Sequence, residues 1–117
     1  MPTFDVWTIV KVPFPYTDRP VRQRRPALVI ANETRDTAAG LLWVLMITSA
    51  ENRGWSGDVG ISDLASTGLP VPSIVRTAKI ATIDAADAEK LGSLPKTDSQ
   101  KIAAKLMEQL SDALNVS

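Results

Sequence analysis

The sequence predicts a mainly β fold with one α-helix: a small, strongly bent sheet or partial barrel, sealed by a C-terminal helix. Short apolar runs rich in β-branched residues recur between loops that carry proline and glycine, the pattern of strands in a small sheet. Only the final stretch of the chain has a helical repeat. At 117 residues the chain suits one domain, residues 1–117, with one modest core. Many short strands and one terminal helix pack most simply as a bent sheet under that helix.

Val6–Val12 reads as a first strand ending at Pro13, and Pro13, Pro15 and Pro20 make Pro13–Arg24 a loop. Ala27–Ala31 and Leu41–Thr48 are apolar runs that predict buried strands, with a turn at Gly40. Ala50–Ser56 is a polar loop, Gly57–Ile61 a short strand and Asp63–Ser66 a single turn. Gly68, Pro70 and Pro72 mark another loop. Ser73–Arg76 and Lys79–Ile83 predict two short strands. Asp84 is placed to cap a helical turn over Ala85–Leu91, which Gly92–Pro95 breaks. The last helix is expected from about Thr97, with Thr97 and Gln100 as a capping box. Its apolar face is Ile102, Leu106 and Leu110, with Ala103, Met107 and Leu114 alongside.

The charge balance is neutral, with 13 basic and 13 acidic residues, so any polyanion must be met by local clustering. Cysteine and histidine are both absent, which excludes disulfides, thiolate chemistry and the usual zinc ligands. It also removes the commonest general base near neutral pH. No dense acidic motif suggests a metal, and no cofactor is expected. No apolar signal segment opens the chain and no run of about 20 apolar residues interrupts it. The expectation is a soluble, cytoplasmic protein with no membrane partner.

Four arginines, Arg19, Arg22, Arg24 and Arg25, stand without an intervening acid before Pro26 and the strand Ala27–Ala31. An arginine fork grips phosphate oxygens in two places. Pro26 holds the backbone behind Arg25 and biases it toward an extended conformation. Arg25 is therefore the strongest anion-binding candidate, and its neighbours suit nucleic-acid backbone without reading sequence. Thr48 and Ser49 end an apolar strand, where hydroxyls serve either as phosphate donors or as turn residues bonded to nearby backbone. Asp18 can act as a base or pair with Arg19 or Arg22. Arg76 is a second cationic candidate in a strand-like segment. Trp43 reads as core and Trp55, in a polar loop, as an exposed aromatic able to stack on a base.

In order, DVWTIVKVPFPYTD at Asp5–Asp18, RRPALVIAN at Arg24–Asn32, ITSA at Ile47–Ala50, GLPVPSIVRTAKIATID at Gly68–Asp84 and the GSL turn at Gly92–Leu94 resemble the MazF/PemK family of toxins from type II toxin–antitoxin systems. The resemblance covers nearly the whole chain. It implies an SH3-like small barrel and a homodimer, a growth inhibitor that cuts single-stranded RNA without a metal. In that family the ribose 2′-hydroxyl is the nucleophile, leaving a 2′,3′-cyclic phosphate and a 5′-hydroxyl. The implied partners are the RNA substrate and a cognate antitoxin protein, with which such toxins bind DNA. The family's catalytic arginine matches Arg25 and its strand-end threonine Thr48. Arg76 matches an arginine that Kid-type members use near the scissile phosphate.

The chain departs from the family pattern at Phe4, where a glycine is usual. Ala78 stands where Kid-type members carry an aspartate base, and their loop histidine has no counterpart here. These departures favour the Arg25/Thr48 arrangement over a Kid-like acid–base pair. Arg24, Arg22, Arg19, Ser49, Arg76, Asp18 and Trp55 are the expected substrate contacts, and Pro13–Arg24 and Ala50–Ser56 the expected specificity loops. Two other readings stand beside the ribonuclease. One is a CcdB-like toxin that binds gyrase, against which the tryptophan-free C-terminus DALNVS weighs; the other is a degenerate relative that binds RNA or a partner without cutting.

Overall fold

The computed structural model describes residues 4–13, 24–33 and 40–115. Six strands, β1 (Thr8–Pro13), β2 (Arg24–Glu33), β3 (Leu41–Ser49), β4 (Asp58–Gly60), β5 (Ser73–Asp84) and β6 (Glu89–Ser93), precede one helix, α1 (Lys96–Leu114). They form one antiparallel sheet in the order β4-β5-β3-β2-β1-β6. The mainly β architecture with a C-terminal helix is thus the one the sequence predicts. The first strand starts at Thr8, not Val6, because Trp7 takes a left-handed backbone (φ 77°) that interrupts extension. Trp7 is held there by its N–H on the Val29 carbonyl and by its own carbonyl, which accepts from Leu94.

The sheet is apolar on both faces. On one, Val10, Val12, Ala27, Val29, Leu42, Val44, Ala81 and Ile83 form a buried cluster. On the other, Ile9, Leu28, Leu45, Ile47, Val75 and Ile102 form a second cluster. Alternate residues of each strand feed opposite faces, as the pleat requires. Ile102 of α1 is fully buried there, and burying one such side chain contributes roughly 1.5–3 kcal/mol.

The two strand signals Ser73–Arg76 and Lys79–Ile83 are one strand, β5, with a bulge between them. Met46 pairs with Arg76 while Leu45 pairs with Ile80, so three extra residues, Thr77, Ala78 and Lys79, stand opposite a single step of β3. An odd insertion switches faces. Val75 and Ala81 are both odd-numbered yet belong to opposite clusters. The bulge therefore lets one strand serve both cores.

The expected helical turn over Ala85–Leu91 is only a 3₁₀ turn at Ala85–Asp87, and Asp84 makes no side-chain cap. The chain then turns extended as β6, because its residues pair with β1 from Glu89 to Ser93. Gly92 and Gly68 make room for this. A side chain at Gly92 would strike the Ser66 carbonyl, and one at Gly68 (φ +74°) the Leu91 carbonyl. The loop after β4 is thereby laid directly on β6.

The expected capping box is absent too: the helix is capped at Pro95 with no side-chain cap bond. Asp98, in the first turn, takes over the anchoring. Its buried Oδ2 accepts from the Ser62 N–H at 2.9 Å and the Ser62 hydroxyl at 3.0 Å, in a place where the helix dipole favours an anion. Ile102 and Leu106 pack inward as expected, whereas Met107, Leu110 and Leu114 stay exposed. Trp43 is also exposed, not core. It points away from the Leu42/Val44 cluster, and the helix does not cover it.

Candidate active site

Two strand pairings bring the best sequence candidates together. Lys11 lies opposite Pro26 and Val12 opposite Arg25 in the β1–β2 pair. In the β2–β3 pair Ala27 faces Met46 and Leu28 faces Leu45; continuing that register sets Arg25 level with Thr48. Pro26 fits because the β2–β3 ladder begins only at Ala27, so its missing N–H costs no bond there. Arg25, Thr48 and Ser49 then line one cleft of about 560 Å³, together with Lys11, Asn52 and the Gly68–Val71 loop. Leu69 and Leu91 give it an apolar wall, and the Gly68 contact described above holds that wall in place.

Polar groups in the cleft are oriented by short local bonds. The Asn52 side-chain amide donates to Thr48 Oγ1 at 2.9 Å. Thr48 therefore accepts on its oxygen and keeps its own proton to donate to a ligand. Ser49 plays a different part, since its Oγ accepts from the Glu51 N–H at 3.3 Å and caps the 3₁₀ turn at Ala50–Asn52. Lys11 and Asn52 are the cleft residues that sequence reasoning missed. Lys11 was legible as the one charged residue inside an apolar strand. Asn52 was not, because only the 3₁₀ turn directs it back toward Thr48.

The remaining candidates lie elsewhere. Asp18, Arg19 and Arg22 fall outside the described residues, as does most of the loop Pro13–Arg24. Arg24 is exposed and forms a surface pair with Glu89 at 3.6 Å, a kind of contact worth about 0–1 kcal/mol. Arg76 is not in the cleft. It is 7% exposed, its Nε donates to Asp58 Oδ1 at 3.2 Å, and its Nη2 donates to Asp58 Oδ2 at 3.3 Å and to the Asn52 carbonyl at 2.6 Å. Trp55 lies against this guanidinium, with its ring centroid 4.1 Å from the arginine carbon, and Lys79 stands 5.5 Å from the same ring. Its indole is thus engaged by two cations of its own chain.

Asp58, the other residue that sequence reasoning missed, ties this assembly together. Its Oδ2 also accepts the N–H groups of Gly54 and Trp55 at 3.2 and 3.1 Å. Burial pushes the carboxyl up, but the Arg76 hydrogen bond and those two amides outweigh it and hold Asp58 below the ordinary aspartate value. Among the described residues no three His, Cys, Asp or Glu side chains gather as a metal site, and no helix is long and apolar enough to cross a membrane.

Fold and cleft together define a class: a small antiparallel β domain, one C-terminal helix, and a strand-end cleft carrying lysine, arginine and hydroxyl groups. The family model for the PemK-like, MazF-like toxin of type II toxin–antitoxin systems matches residues 5–110, and the chain belongs to that family. MazF of Deinococcus radiodurans (Form-I) is similar in structure, with a TM-score of 0.69 and 24% identity over 92% of this chain and 96% of that one. An endoribonuclease in complex with its cognate antitoxin, from a mycobacterial species, has a TM-score of 0.69 at 17% identity, covering 96% and 97%. The Mycobacterium tuberculosis toxin MazF-mt6 has a TM-score of 0.66 at 22% identity, covering 89% and 96%. At these identities the likeness is one of fold. No curated protein matches the chain.

Proposed function

We propose that this toxin is a metal-independent, sequence-selective endoribonuclease that cuts single-stranded RNA in the cytoplasm. The observation that carries the reading is the meeting of Arg25 and Thr48, from different strands, in one cleft. RNA suits a protein with no histidine or cysteine because the substrate brings its own nucleophile. The 2′-oxygen bonds to phosphorus as the bond to the 5′-oxygen breaks. The 2′-hydroxyl gives up its proton, the 5′-oxygen gains one, and a 2′,3′-cyclic phosphate and a 5′-hydroxyl remain. Negative charge builds on the phosphoryl oxygens midway. Arg25 is the group to offset it, and Thr48 donates a hydrogen bond to the same region. With a pKa above about 12, Arg25 acts as a fixed charge and not as the proton donor. Lys11, at the cleft rim, adds attraction for the RNA backbone.

Incubating the purified protein with a long single-stranded RNA in EDTA tests the reading. Discrete cuts with 5′-hydroxyl ends are expected. Intact RNA from folded, antitoxin-free protein would replace the ribonuclease with a partner-binding toxin.

The same proposal includes a cognate antitoxin and a homodimer. Trp43 (54% exposed), Leu41 and Ile80 are large apolar side chains left exposed on β3 and β5. Ile80 pairs with Leu45, so it lies diagonal to Trp43 on one face, within reach of a shared contact. A second copy over this patch would bury it. Light scattering is expected to give twice the mass of the 12.6 kDa chain; a monomer mass at every concentration would remove the dimer.

A further inference from the structure

Arg76 lies outside the cleft yet is joined to it by a short chain of hydrogen bonds. Its Nη2 donates to the Asn52 carbonyl at 2.6 Å, and the Asn52 side-chain amide donates to Thr48 Oγ1 at 2.9 Å. Asp58 holds the other edge of the guanidinium at 3.2 and 3.3 Å and the amides of Gly54 and Trp55 at 3.2 and 3.1 Å. Both ends of the segment that carries Asn52 are thereby fixed to one buried ion pair. Trp55 covers the guanidinium. Its Nε and Nη2 are committed to acceptors within the protein, and with the side chain only 8% exposed little of this cation is open to a phosphate.

We propose that Arg76 is a positioning residue for the cleft: it holds Asn52 so that Asn52 sets the rotamer of Thr48 and leaves the threonine proton aimed at the ligand. Asn52, which lines the cleft itself, is the intermediate. The arginine is required, and lysine does not replace it, because two acceptors on different segments must be bridged by one rigid fork. A lysine can pair with Asp58 but lacks the second arm that reaches the Asn52 carbonyl. The inference rests on the ribonuclease reading for its kinetic consequence, but the Arg76–Asn52–Thr48 link exists whether or not RNA is the substrate.

The test compares wild type, Asn52→Ala, Arg76→Lys and the double variant. Asn52 is exposed, so Asn52→Ala should fold even if Arg76→Lys does not. Single-turnover cleavage of an RNA with a mapped cut site is expected to slow about fivefold in Asn52→Ala, the effect of one lost hydrogen bond. Arg76→Lys should slow it by a similar factor, and the double variant should be no slower than either single one. Affinity for the same RNA with a 2′-deoxy nucleotide at the cut, and its dependence on salt, should not change.

An arginine that touched phosphate would instead weaken that affinity on truncation to Arg76→Gln and flatten the plot of log affinity against log salt by about 0.7. That result would overturn the proposal, as would additive losses in the double variant. The second readout needs no activity: the Asn52 side-chain amide resonances of the ligand-free protein. They are expected to shift toward free-amide positions in Arg76→Lys, and unchanged resonances would also overturn the proposal. If they shift while wild type cuts no RNA, the ribonuclease reading falls and the positioning role stands.

Discussion

Arg25→Ala is expected to slow RNA cleavage by about 10²- to 10³-fold, the usual loss when one preorganised group facing a developing negative charge is removed. The residue is half-buried at the start of β2 and lines the cleft with Thr48, so its charge acts where water screens it less than in bulk. Arg25→Lys should recover only part of the rate, because a single ammonium cannot grip two phosphoryl oxygens at once. Single-turnover rates on one mapped site, with enzyme in excess over RNA, make the comparison. A rate within about threefold of wild type, well short of the effect of losing such a group, would take Arg25 out of the chemistry. The fold should survive, since the β1–β2 ladder runs through backbone groups that the substitution leaves in place.

Asp58→Asn is expected to cost about 3–5 kcal/mol of stability at pH 7, since it leaves a buried guanidinium without its counter-charge. Both side chains of the pair are 8% exposed, so solvent does little to compensate. The pH dependence follows from the lowered carboxyl. Asp58 releases its proton more readily folded than unfolded, so the ionised group stabilises the fold above the unfolded value of about 3.9. That contribution fades as pH falls through the lower folded value. Urea midpoints of wild type and Asp58→Asn should therefore be far apart at pH 7 and converge toward pH 3. A gap that stays constant across this range would show that the carboxylate charge is not what holds Arg76.

Most of the sheet was legible in the chain because strand propensity is a local signal. Ala27–Ala31 and Leu41–Thr48 are apolar runs that strands β2 and β3 extend by only a few residues. The Arg25–Pro26 junction announced itself in the same way, since proline restricts its own residue and the one before it. Thr48 was visible as the polar end of an apolar strand. Neither residue said which other residue it would meet.

The misreadings share one origin: partners distant in sequence. Glu89–Ser93 has weak strand character and became β6 because β1 was there to pair with it. Arg76 read as a cation available to substrate, yet Asp58 and Asn52, 18 and 24 residues away, enclose it. Trp43 looked like core from its apolar neighbours, but it lies at an end of the Leu45 face that α1 does not reach. By itself the sequence determined most of the strands, the terminal helix, the absence of histidine and cysteine chemistry, and Arg25 as the leading cationic candidate. Only the tertiary structure decided that β5 is one strand serving two cores, that Asn52 orients Thr48, and that Arg76 lies behind the cleft and not in it. Periodicity and backbone restriction are written residue by residue, whereas registers, bulges and buried ion pairs come into being only when separate segments pack.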